Sequence, residues 1–466
     1  MKNINLRNIF KNKAMGNLVI EAASIFLIYL LISIYFSSHF FFNTMVNGVN
    51  LSLKSYKDAD RIINDYIKTY RLSLIERDNE SEEIIGQDIE LKYNQNNSLS
   101  RLYKEQNAFN WMASLIKKEE YYLEDLFLYN EESLEKKINS LNCLNKDIIE
   151  PRNVSFKYSN GTYETIKEIY GNKINKENLV RAIRESLVKG ERELNLEEKD
   201  CYEKPEYTLT SEKTDETKAI LDKYVSTNIT YLFGTKKEVL DGTIINNWLV
   251  VDEDLNVIID EMSVNQYVRT LAKKYNTVGK ARKIKSSTGK IVEVKGGFYG
   301  WRINLEKEIA ALIENIKNGD ILEREPIYAQ RAVSREEDDI GDSYVEINIT
   351  KQHLWFYKDG KLIAHGSVVT GNPNRGHGTP VGIYMINYKE MGSTLRGPGY
   401  EASVSYWMPF NGNIGIHDAS WRYSFGGEIY KTNGSHGCVN SPKYLAKKIY
   451  ENIEEGTPVI CYEEEN

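Results

Sequence analysis

Three textures follow one another along the 466-residue chain. The first is a run of 21 mostly apolar positions, Ala22 to Phe42. At about 1.5 Å per residue a helix of that length spans roughly 30 Å, the hydrocarbon thickness of a bilayer. The second is polar and rich in Lys, Glu, Asn and Tyr, broken by apolar stripes at helical spacing. Ala59, Ile62, Ile63, Tyr66 and Ile67 share one face of a helix predicted over Ser55–Tyr70. A strand is predicted over Arg71–Ile75, then a loop over residues 76–100. Ile174–Tyr202 and Ile303–Tyr328 form a weak repeat: each opens Ile-Asn, continues as an amphipathic helix, stops at Gly190 or Gly319, and resumes extended. Between them Met262–Tyr275 reads as a helix and Val292–Lys295 as an extended piece.

The third texture starts at Tyr344, where Val345, Ile347 and Ile349 alternate with polar residues as in a half-buried strand. Lys358-Asp-Gly-Lys361 reads as a hairpin turn, and Asn411-Gly412 as another. The strand after it would end on His417. Ser441-Pro442 reads as a helix start, with Ser441 as N-cap, and Gly456–Tyr462 as a closing strand. The fold class expected is multidomain: an N-terminal transmembrane helix, α+β modules, and a mainly-β, sandwich-like C-terminal domain. The divisions are 1–45, 46–150, 151–332, an acidic linker 333–342, and 343–466.

Charge orients the first segment. Lys2, Arg7, Lys11 and Lys13 precede any acidic residue, so the positive flank stays in the cytoplasm and the rest lies outside. The run is longer than the apolar part of a removable signal peptide and ends in phenylalanines, which favours a retained anchor over a cleaved leader or a core helix. Net charge is −7 with the bases dispersed, which argues against a nucleic-acid partner. The four cysteines contain no CxxC pair. Cys143 and Cys201 are either a disulfide or two buried thiols.

Chemistry concentrates at the C-terminus. Five of the six histidines (His353, His365, His377, His417, His436) lie there. His417 is followed, after a 17-residue gap, by Ser435-His-Gly-Cys-Val-Asn440. A thiol attacks a carbonyl as thiolate, an imidazole takes its proton, and a neighbouring glycine lets N–H groups approach an oxyanion. Cys438 is the candidate nucleophile and His417 the candidate base. An inert thiol, a zinc site of His417, His436 and Cys438, and His436 as the base are the competing readings. Trp421, Tyr423, Phe425 and Gly426-Gly427 form either a flap or an ordinary loop.

His417, the gap and Ser-His-Gly-Cys-Val-Asn resemble the L,D-transpeptidase (YkuD-type) signature, and Thr379-Pro-Val-Gly-Ile-Tyr384 is similar to a second family segment. Gly297-Phe-Tyr-Gly-Trp301 and the helix after it resemble peptidoglycan-binding domain 4. The first resemblance implies an enzyme, here held at the membrane by the apolar run, that forms 3→3 peptidoglycan cross-links through a Cys438 thioester, releases D-alanine from a tetrapeptide donor stem, and is acylated by carbapenems. It implies no cofactor. It also implies that the Asp418 carbonyl orients His417, that Gly437 and Cys438 N–H groups hold the oxyanion, that Ser435 and His436 fix the loop, and that Asn440 contacts substrate. An L,D-carboxypeptidase shares this acyl-enzyme. A wall-binding protein without catalysis, or a sortase-like anchor, fits the thiol and its neighbours less well.

Overall fold

The structure is a computed structural model that describes residues 13–77, 80–96, 98–336, 338–397 and 400–465. Of the basic flank, Lys2, Arg7 and Lys11 lie outside them. The chain divides into two compact units, Met1–Ser155 with Thr165–Thr214, and Phe156–Glu164 with Asp215–Asn466.

The first unit opens with helix α1 (Lys13–Phe36). Its stretch Met15–Phe36 is long and apolar enough to cross a membrane, with mean hydropathy 2.3 and few residues buried. Helix α2 (Tyr56–Lys68) is capped by Ser55, whose hydroxyl accepts from Asp58 N, and it buries Ala59, Ile63 and Ile67. Strand β1 (Arg71–Ile75) pairs antiparallel with β2 (Ser81–Ile85). The expected loop at 76–100 therefore contains a strand: β2 lies at the edge of its sheet, and only Ile84 among its residues is buried, so its apolar alternation is faint. Ala108–Leu115 is a 3₁₀ helix. Helix α3 (Lys176–Lys189) begins at Asn175 and ends on Gly190, whose left-handed φ of 68° favours glycine. Strand β3 (Glu193–Asn195) then returns parallel to β1, giving the order β3-β1-β2. Cys143 and Cys201 are free, buried thiols of this unit's core, so the disulfide is not made.

The second unit repeats that plan. Helix α4 (Glu212–Val225) leads into β4 (Asn228–Phe233), antiparallel to β5 (Lys236–Leu240). After α5 (Glu261–Tyr275) and the hairpin β6 (Arg282–Lys285)–β7 (Ile291–Val294), helix α6 (Leu305–Asn318) starts at Asn304 and ends on Gly319. Strand β8 (Ile321–Arg324) pairs parallel with β4, in the order β5-β4-β8. Phe156–Glu164 also belongs here: Tyr163 N donates to Asp222 Oδ1 at 2.7 Å, and Tyr163 packs on Leu221 and Val225.

The C-terminal part holds two sheets. One is five-stranded, β11-β10-β9-β17-β12, from β9 (Tyr344–Asn348), β10 (His353–Lys358), β11 (Lys361–Ser367), β12 (Gly382–Met385) and β17 (Pro458–Tyr462). The other runs β13-β14-β15-β16, from β13 (Glu390–Gly397), β14 (Tyr400–Asn411), β15 (Ile414–Asp418) and β16 (Val439–Ser441). Val345, Ile347, Phe356 and Val459 of the first share one core with Met408, Phe410, Ile416 and Val439 of the second, and α7 (Lys443–Asn452) adds Leu445 and Ile449. Burying such side chains stabilises by about 1.5–3 kcal/mol each. The expected cap is corrected: Ser441 ends β16 with a buried, unpartnered hydroxyl, and α7 follows Pro442 without a side-chain cap.

Within the acidic segment 333–342, Val333, Glu336 and Asp338 are exposed while Asp339 and Ile340 are buried. Asp339, 4% exposed, takes both arms of Arg282 at 2.7 Å and the Thr277 hydroxyl at 2.7 Å. Ile340 joins Val294, Tyr299, Ile383, Ile460 and Tyr462 in one apolar cluster. Beside it, Tyr299 N donates to Ile383 O at 2.9 Å and Ile383 N to Gly296 O at 3.1 Å, which extends the edge of the five-stranded sheet. Gly297 has φ of 80°, and a Cβ there would sit 2.1 Å from Ile383 O, so the Gly-Phe-Tyr-Gly-Trp stretch serves this seam.

Candidate active site

Strands β15 and β16 run side by side, parallel, with His417 opposite Asn440. That register follows from the sequence: the Asn411-Gly412 turn starts β15, and Ile416 and Val439, both fully buried, set which residues face the core. His417 and Cys438 line one cavity of about 500 Å³ together with Ser435, His436 and Asn440. Asp418 does not line it. Its carboxylate accepts from Ser405 N at 2.7 Å and Tyr406 N at 2.9 Å, which fixes the neighbouring strand β14.

His417 is 3% exposed, and its Nδ1 lies 2.9 Å from Asp418 O. A carbonyl oxygen only accepts, so Nδ1 carries the proton and Nε2 is left as the basic nitrogen. Burial holds the imidazole pKa below its ordinary value, partly offset by that hydrogen bond. Burial pushes the Cys438 thiol up, to about 11, against a smaller lowering by Gly415 N–H. The thiol keeps partial exposure and donates to Asn413 O at 3.4 Å. Burial thus favours the neutral form of each group.

The turn around the thiol is braced from within. Ser435 Oγ donates to Cys438 O and accepts from Gly437 N at 3.1 Å. The Gly437 N–H expected for an oxyanion is therefore already engaged by the Ser435 hydroxyl. Gly437 has φ of 121°, and a Cβ there would press on Ile414 at 3.0 Å. Thr379 Oγ1 donates to Gly437 O at 2.7 Å and accepts from Gly371 N at 3.0 Å, so the Thr-Pro segment supports the nucleophile turn. His436 is exposed and lies against His377, with ring centroids 4.6 Å apart and the planes tilted by 36°. His353 and His365 face each other at 3.1 Å on strands β10 and β11, away from this cavity's lining. Among the described residues no group of three or more His, Cys, Asp or Glu could hold a metal.

Sequence reasoning missed part of the lining: Arg422, Leu395 and Glu401–Ser403. Arg422 donates to Asn433 O at 2.7 Å while its Nε is buried without a partner, as is Asn440 Oδ1. A cation inside the 17-residue gap was the available signal. Trp421 also lines the cavity, half exposed, and Tyr423 is fully exposed.

One cavity thus brings together a cysteine and an imidazole of fixed tautomer, the groups that thiol-based acyl transfer requires. Residues 342–461 match the family model YkuD, the L,D-transpeptidase catalytic domain. Residues 84–195 and 207–322 match a model described as "Putative peptidoglycan binding domain". The "Putative L,D-transpeptidase YciB" of Bacillus subtilis (strain 168) is 24% identical over 125 residues, covering 25% of this chain. The chain spans 64% of that relative's length. A crystal structure of the Enterococcus faecium L,D-transpeptidase with a cysteine-to-serine substitution is 35% identical, covering 53% of this chain and 100% of its own (TM-score 0.44). An NMR structure of the E. faecium catalytic domain is 40% identical, covering 26% and 97% (TM-score 0.25). The C-terminal region of this chain is an L,D-transpeptidase catalytic domain of the YkuD family, preceded by peptidoglycan-binding-type domains.

Proposed function

We propose that this protein is a single-pass membrane enzyme that forms 3→3 cross-links between peptidoglycan stems outside the cell, with residues 343–466 as catalytic domain and 1–45 as anchor. The observation that carries the chemistry is the His417 Nδ1–Asp418 O bond, which leaves Nε2 as base in the cavity that holds Cys438. The retained anchor is supported by packing of Phe36 on Phe41 and Trp111, contacts that cleavage would remove.

As the donor carbonyl enters, the thiol leaves Asn413 O, its proton passes to His417 Nε2, and sulfur bonds to the carbonyl carbon. The tetrahedral oxyanion takes the Cys438 N–H, and Gly437 N–H only if Ser435 Oγ gives way. Collapse breaks the C–N bond to D-alanine, whose amine receives the imidazolium proton. The side-chain amine of an acceptor stem then attacks the thioester, gives its proton to His417, and expels the thiolate. Ser435 and His436 position the turn, and Asn440 binds substrate. Arg422 offers its unpartnered Nε to a substrate carboxylate.

The test is incubation of the full chain with a tetrapeptide stem, read by mass spectrometry. A cross-linked dimer with free D-alanine is expected; a tripeptide alone would reassign the enzyme as a carboxypeptidase, and no change would sink both. Cys438→Ala should lose product and the covalent adduct with ertapenem, which acylates an E. faecium catalytic domain. Because burial raises the thiol pKa, alkylation of Cys438 should climb about tenfold per pH unit from neutrality towards about 11. A rate flat with pH across neutrality would mean a preformed thiolate–imidazolium pair instead.

A further inference from the structure

In a 3₁₀ helix, side chains three apart eclipse one another, so Ala108–Leu115 presents three rows. One row, Ala108, Trp111 and Ser114, faces inward: Trp111 and Ser114 are buried. Trp111 stacks on Phe36 and lies 5.9 Å from the Tyr29 ring, and its Nε1 donates to Ser33 Oγ at 3.2 Å. Tyr29 OH donates to Phe109 O at 2.7 Å, and Gln106 Nε2 to the carbonyls of Phe36 and His39 at 3.1 and 2.8 Å. The segment is strapped along the last two turns of α1. A second row, Phe109, Met112 and Leu115, is apolar and half exposed, and Ile116 beyond it is 95% exposed.

Tyr29 lies seven residues before Phe36, which is about 10 Å down the helix axis at 1.5 Å per residue. If α1 crosses a bilayer with Phe36 near the outer boundary, the partner of Tyr29 is carried below that boundary with it. Interfacial helices bury their apolar face to about 5–10 Å, the same depth. Lys117 and Lys118, both exposed, follow directly and can reach headgroups.

We infer that Ala108–Ile116 is a second membrane-contacting element, a wedge that places Phe109, Met112, Leu115 and Ile116 in the acyl region of the outer leaflet beside α1. This rests on the reading of α1 as a membrane span. It would tie the first extracellular unit to the lipid surface at two points of sequence, 80 residues apart at the Tyr29–Phe109 bond.

The test uses the full chain with Cys438→Ser, reconstituted in vesicles of phosphatidylethanolamine and phosphatidylglycerol. Bimane is placed at Ile25→Cys, Phe109→Cys or Ile116→Cys, all exposed positions, while Cys143, Cys201 and Cys461 are buried against labelling. Acyl-brominated lipid should quench most emission at all three sites, and iodide in the water little. Quenching by lipid at position 25 with iodide quenching at 109 and 116 would overturn the wedge and leave the anchor standing. Iodide quenching at position 25 as well would overturn the anchor, and the wedge with it.

Discussion

Leu179 and Glu308 stand at the same place in the two helix–glycine–strand copies, four residues past the capping Asn175 and Asn304, and both are wholly buried. Leu179 sits in an apolar core that asks only for contact. Glu308 binds Arg324 through both oxygens at 2.6 and 3.0 Å, the Tyr231 hydroxyl at 2.7 Å and Ile327 N at 2.6 Å. Apolar contact is non-directional, whereas this cluster fixes strand β8 and the first residues after it. Those residues lead into the segment that packs on the catalytic sheet. The second copy therefore carries a directional joint at the point where the chain passes to the next domain. The first copy, with the same strand order, has a leucine there.

Variants that break the joint test this. Glu308→Ala leaves the largely covered Arg324 guanidinium without a carboxylate and should cost about 3–5 kcal/mol by denaturant unfolding. Leu179→Ala should cost roughly 2–4 kcal/mol, the transfer and cavity terms of a buried leucine. The cap glycines should differ by environment. A Cβ on Gly190 would meet Asn47 O at 2.0 Å, whereas one on Gly319 would meet Lys223 O at 2.9 Å. Gly319→Ala should lose about 1–2 kcal/mol for the left-handed conformation, and Gly190→Ala more, both read as shifts in melting temperature. The smallest effect should come from Glu308→Leu with Arg324→Leu: replacing a buried ion pair by apolar groups is often neutral or better, so stability within about 1 kcal/mol is expected. A double variant as unstable as Glu308→Ala would show that shape, not charge pairing, distinguishes the copies.

Much of the frame was legible because local rules and tertiary packing agree. The helix after Ser55, strand Arg71–Ile75, the Asp359-Gly360 turn with both φ positive, and His417 near the end of its strand all follow from pattern and turn chemistry. The misses have physical reasons. Ala108–Leu115 shows period three, not 3.6, and its buried row has meaning only against α1. Ser441 has the residue type of a cap, yet pairing with Asp418 draws it into a sheet. The Gly437 N–H looked available, but the Ser435 hydroxyl two residues earlier takes it. The seam at Asp339 and Ile340 could not be read because an acidic segment resembles a solvated linker until Arg282 is placed beside it.

The short visit of Phe156–Glu164 to the second unit has a consequence in time. The chain is made in order, and Tyr163 precedes its partner Asp222 by 59 residues. At about 5–20 residues per second, that hairpin waits roughly 3–12 s before α4 exists to receive it. Meanwhile residues 165–214, which belong to the first unit, can close around α3. Every residue of the first unit is thus made before Asp222, and Phe156–Glu164 is the first piece of the second unit to be made.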